Sequence, residues 1–70
     1  MKYLIIIEQT NQNYSAYLPD VPGCIATGKT RDEARQNVVD ALELHIEGLM
    51  EDGLPIPTPK SEADYIVAEC

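Results

Sequence analysis

Tryptophan and phenylalanine are absent from this 70-residue chain, which has two cysteines, one histidine and five basic residues. Each scarcity excludes something. Cys24 and Cys70 are too few for a disulfide framework. They do not form a CxxC pair, and His45 alone adds no second ligand cluster for zinc. The shortage of Lys and Arg disfavours direct nucleic-acid binding, because phosphate affinity comes mainly from those side chains. The apolar run at the N-terminus extends only from Tyr3 to Ile7. That is too short for a signal peptide or a membrane span, so a cytoplasmic protein with reduced thiols is expected. No motif asks for a cofactor. A lone core of this size supplies only about 3–5 kcal/mol. With disulfides and metal set aside, self-association or a partner is left as the expected support.

Acidic residues are plentiful: twelve Asp and Glu give a formal net charge of −7. Such a chain suits a basic partner, although acids also simply keep small proteins soluble.

The stretch from Tyr14 to Ala34, YSAYLPDVPGCIATGKTRDEA, organises the rest. Tyr3–Ile7 reads as a first strand, continuously apolar and β-branched, with Glu8 ending it. A polar turn, Gln9–Asn13, leads into a second, antiparallel strand, Tyr14–Leu18. Its alternation places Tyr14, Ala16 and Leu18 on one face, and Ser15 and Tyr17 on the other. Pro19-Asp20-Val21-Pro22-Gly23 forms a stiff loop, since the prolines fix φ and Gly23 can take positive φ. It is either a contact surface or a plain connection. Cys24–Thr27 reads as a third strand. Thr30-Arg31-Asp32-Glu33 is a capping box opening a helix over Arg31–Asp52. Ala34, Val38, Ala41, Leu42, His45, Ile46 and Leu49 form its apolar stripe, and Gly53 with Leu54 is the expected stop. LPIPTP, from Leu54 to Pro59, is an extended connector. Asp64–Glu69 has strand composition.

The expected architecture is α+β, ordered β-β-β-α-β: a mostly antiparallel sheet with one helix on one face. The last strand should return parallel to the first through a right-handed crossover, placing the first strand centrally. One helix covers one sheet face, whereas both faces of the first strand are apolar. The uncovered face predicts burial against another subunit, a dimer or tetramer, with Ile5, Ile7 and Tyr17 as its expected residues.

No residue set reads as an active site. His45 lacks a companion for acid–base work and reads as a partly buried packing residue. A meander followed by a helix and a parallel strand is the sheet order of ribonuclease H, which raises the alternative of a metal-dependent hydrolase. Two-metal chemistry needs converging carboxylates. Glu8, Asp20, Glu43 and Glu47 do not converge in this reading, and no metal site is expected. Cys24 has no basic neighbour to lower its thiol pKa. The helix acids outnumber Arg31 and Arg35, giving a negative outer face. Asp20, Pro22, Glu43, Glu47 and Glu51 are therefore the candidate partner-binding residues.

The ordered combination of Tyr14-x-Ala16, Pro19-Asp20-Val21-Pro22-Gly23-Cys24, Gly28 with Thr30, Glu33-Ala34, Asn37, and an acid before Gly53-Leu54-Pro55 resembles the HicB family of antitoxins. The resemblance spans nearly the whole chain. It implies a degenerate, partial ribonuclease H-like fold without the catalytic carboxylates. It also implies a partner, HicA, a small basic ribonuclease that cleaves messenger RNA and whose active site the antitoxin covers. Many members carry a further C-terminal DNA-binding domain. This chain, ending at Cys70, is expected to be the single-domain form, without self-repression through DNA. A solitary homo-oligomeric scaffold without a toxin is the other expectation.

Overall fold

The computed structural model describes residues 1–69. Three strands and a helix follow in order: β1 (Ile6–Gln9), β2 (Tyr14–Tyr17), β3 (Ile25–Gly28) and α1 (Arg31–Glu51). The strands form an antiparallel meander in the order β1-β2-β3. The polar turn between β1 and β2 is closed by Thr10, whose amide donates to the Asn13 carbonyl at 2.8 Å.

Register settles which face the helix covers. Ile7, Ala16 and Ala26 stand in one cross-strand row, and Ile6, Tyr17 and Ile25 in the next. Neighbours along a strand point to opposite faces, so these rows lie on opposite sides of the sheet. The helix packs on the first row. Its Ala34 and Val38 are buried with Ala16, Leu18, Val21 and Cys24, and Tyr3, Ile5 and Ile7 pack against that cluster. Ile5 and Ile7 thus belong to the helix side, while Tyr17 lies on the open side. The three residues expected to share one association face are divided between two faces.

Close approach of helix and sheet depends on Gly28. A Cβ there would stand 2.4 Å from the Ala34 amide nitrogen, so only a bare Cα admits the first helical turn. Thr30 caps the helix, its hydroxyl accepting from the Glu33 amide at 3.0 Å. The reciprocal half of the box is displaced by one residue: the Glu33 carboxylate accepts from the Lys29 amide, not from Thr30. Asn37 ties α1 to β3 by donating to the Thr27 carbonyl at 2.8 Å. At the other end Gly53 takes φ +66. The Gly53 amide donates to the Met50 carbonyl and the Leu54 amide to the Leu49 carbonyl, which completes a Schellman stop.

The helix outruns the sheet. Four-residue strands extend about 13 Å, whereas twenty-one helical residues extend about 31 Å. Burial weakens along it: Ala34 and Val38 are buried, Ala41, Leu42, Ile46 and Leu49 half-buried, and His45 is exposed. The expectation of a packing histidine fails: His45 is exposed while its stripe neighbours Ile46 and Leu49 stay half-buried.

The expected fourth strand is also not formed. Residues 62–69 join no ladder, so β1 is an edge strand and not a central one. The chain is held only as far as Ser61, beyond which every described residue is exposed and no buried side chain fixes a register. β1 itself begins at Ile6 and runs through Glu8 to Gln9, later than its apolar run indicates, because pairing follows β2 and not composition. Cys70 lies outside the described residues.

Candidate functional site

Glu43, Glu47 and Glu51 are spaced four apart on α1 and form one exposed row. Repulsion between them goes uncompensated. Among the described residues the ion pair within 4.0 Å is Arg31–Asp32, at 3.5 Å, at the opposite end of the helix. The last turn carries no basic residue, so the row coincides with the negative end of the helix dipole. Leu44 and Met50, 70% and 66% exposed, stand among these acids. Acids mixed with exposed apolar side chains, on a helix half that no strand supports, suit a basic partner with some apolar contact.

The loop is built differently from its expected role. Val21, 1% exposed, is a core residue, and the loop closes on itself through the Val21 amide to Leu18 and the Cys24 amide to Val21. Gly23 takes φ +82, which releases the chain into β3. Asp20 is buried and its carboxylate is engaged within the chain. It accepts from the Lys60 amide at 3.0 Å, the Ser61 amide at 2.9 Å and the Ser61 hydroxyl at 2.7 Å. These bonds, led by the one from the Ser61 hydroxyl, hold its pKa below the usual carboxylate value. Asp20 straps the connector to the loop, helped by Tyr3, whose hydroxyl donates to the Pro57 carbonyl.

Pro22 remains exposed. With Tyr17, Leu18, Pro19 and Ile25 it lines an apolar hollow of about 340 Å³. The structure therefore brings Tyr17 and Pro22 together, and leaves the Glu43–Glu51 row on the helix, away from them. Ile25, 61% exposed, is the open-face residue that sequence reading passed over. Alternation from buried Cys24 would have placed it outward.

The carboxylates do not assemble a catalytic centre. Glu8 shares the open sheet face with Tyr17, Asp20 is bound to Ser61, and Glu43 and Glu47 lie on the helix. Among the described residues no group of three or more His, Cys, Asp or Glu side chains is placed to hold a metal. Burial pushes the Cys24 thiol up in pKa, away from thiolate chemistry. No helix among the described residues is long and apolar enough to cross a membrane.

A three-stranded antiparallel meander backed by one helix, carrying an acidic strip and an apolar hollow, places the chain among small α+β domains. Residues 3–69 match the model of the "HicB_like antitoxin of bacterial toxin-antitoxin system" family, and the chain belongs to that family. An uncharacterised 14.9 kDa protein of Haemophilus phage HP1 is 42% identical over 66 residues, covering 94% of this chain and 50% of that one. This chain thus spans half the length of that relative. A solved HicA3 and HicB3 toxin–antitoxin complex contains a similar chain, 37% identical, with TM-score 0.69 over 86% of this chain and 70% of that one. The N-terminal domain of Burkholderia pseudomallei antitoxin HicB is 30% identical, with TM-score 0.72 over 83% of this chain and 69% of that one.

Proposed function

We propose that this chain is an antitoxin-type binding domain, not an enzyme, and that it neutralises a HicA-type, mRNA-cleaving ribonuclease by occluding it. The carrying observation is its likeness, at 37% identity, to a chain from a HicA–HicB complex. The acidic strip supports the reading in physical terms. Among the described residues its charge has no ion-pair partner within 4.0 Å, so a basic partner meets a surface short of cations. The meander followed by a helix supports regarding the domain as a reduced ribonuclease H-like fold put to binding. Neutralisation would take place in the cytoplasm, where the toxin's substrate is.

Binding of a HicA-type toxin from the same genome to the full chain tests this directly. Saturable binding with loss of RNA cleavage is expected. A toxin that neither binds nor loses activity sinks the proposal.

A second reading is favoured by the half-buried Ile6 and Tyr17 and the exposed Ile25 in one row on the open face. The chain self-associates as a dimer or tetramer, with or without a toxin. Sedimentation of the isolated chain separates this from a monomer.

A further inference from the structure

Two halves of a strand pair stand unused in one chain. The first is the outer edge of β1, which is hydrogen-bonded to β2 on one side only, with residues 3–5 ahead of it outside any ladder. The second is the segment 62–69. Its Tyr65, Ile66 and Val67 are 96%, 94% and 91% exposed, three adjoining side chains of strong strand propensity. The strap at Asp20 and Tyr3 delivers this segment to the sheet margin, where Tyr65 shares a hollow with Ile5, Ile7 and Gln9. The fold-back pairing is nonetheless unmade, since 62–69 form no ladder with β1.

We infer that the pairing is made between two copies: residues 62–69 of each chain add as a strand to the β1 edge of the other. The occupant follows from the chain's own inventory. Every copy supplies one apolar strand and one open edge, so a two-fold exchange leaves neither exposed. Eight extended residues reach about 26 Å, enough to cross to a neighbouring edge and span it. Charge fits a parallel seating: Glu62 and Asp64 then lie beside Lys2 and the N-terminal amine, and the apolar run lies beside Leu4–Ile7. The net charge of −7 opposes association in general; half of the twelve acids are on the helix, whereas Glu8 and Glu69 lie within the segments that pair. This inference rests on the self-association reading and goes further by naming the segment that performs it.

The test is sedimentation equilibrium of the full chain over a dilution series, beside Ile66→Pro. Proline removes a ladder donor from an exposed segment outside the core, so the helix signal of the variant stays unchanged. The expected result is a dimer whose dissociation midpoint rises at least about tenfold in the variant. Hydrogen exchange supplies a second readout: amides of 62–69 should be protected about tenfold or more at high concentration, and unprotected on dilution. A chain that is monomeric throughout overturns both the exchange and self-association. A dimer unmoved by Ile66→Pro overturns the exchange and leaves self-association standing. Neither result bears on toxin binding, whose salt dependence has the opposite sign: added salt screens repulsion between like chains and weakens attraction to a basic one.

Discussion

Ser61 grips both oxygens of the Asp20 carboxylate: its hydroxyl reaches Oδ1 at 2.7 Å and its amide reaches Oδ2 at 2.9 Å. A loop residue forty-one positions upstream thereby decides where the last segment begins. Because Asp20 has its pKa lowered by these bonds, the sign of the pH effect is fixed. Stabilisation of the strap is complete above the carboxylate's unfolded pKa and is lost as pH falls through the lower folded value. Acid should release residues 60–69 before the core opens. The protection of the Ser61 amide, its exchange rate relative to an unstructured amide at the same pH, should fall first as pH is lowered from neutral. Asp20→Asn should make that protection insensitive to acid; an unchanged acid response would place the titration elsewhere.

Gly28 is the point of least tolerance between sheet and helix. Gly28→Ala drives a Cβ against the Ala34 backbone, where no flexible side chain can yield. A loss of about 1–3 kcal/mol is expected, the usual cost of overpacking. Denaturant unfolding measures it. Gly48→Ala is the control: its Cβ meets nothing within 4 Å and should stabilise the helix by about 1 kcal/mol through propensity.

Thr30→Ala removes the acceptor for the Glu33 amide and should cost about 1 kcal/mol. The displaced Lys29–Glu33 bond predicts near-additivity with Glu33→Gln, since a glutamine oxygen still accepts from Lys29. A thermal or chemical melt of the double variant reads this.

Reversing Glu43, Glu47 and Glu51 to lysine should slow association with a HicA-type toxin by about tenfold at low salt. The isolated chain should lose no stability, because among the described residues the row has no cation partner to forfeit. Unchanged association kinetics would remove the helix face from the contact.

Much of the fold was legible in the sequence, and the failures share one cause. Strands, loop, capping box and Gly53 stop are written in local residue choice, and alternation correctly separated Ala16 from Tyr17. His45 and the last strand depend on where other elements end. The helical stripe continues regardless of whether a sheet lies beneath it, and strand composition at 64–69 does not supply a partner edge. The candidate site divided in the same way. Glu43, Glu47 and Glu51 are exposed, as charge patterning implies. Asp20 looked like a loop-tip contact, because its bond to Ser61 spans a distance no local pattern encodes.

The overhang of α1 also bears on time. Turns up to Leu42 pack on the buried core, whereas farther along Ile46 and Leu49 are only half-buried and Glu43, Glu47 and Glu51 stand exposed. Exchange along one continuous helix should therefore run as a gradient, slow near Val38 and fast near Met50. The fast end is the acidic end, so a bound partner would announce itself by flattening that gradient.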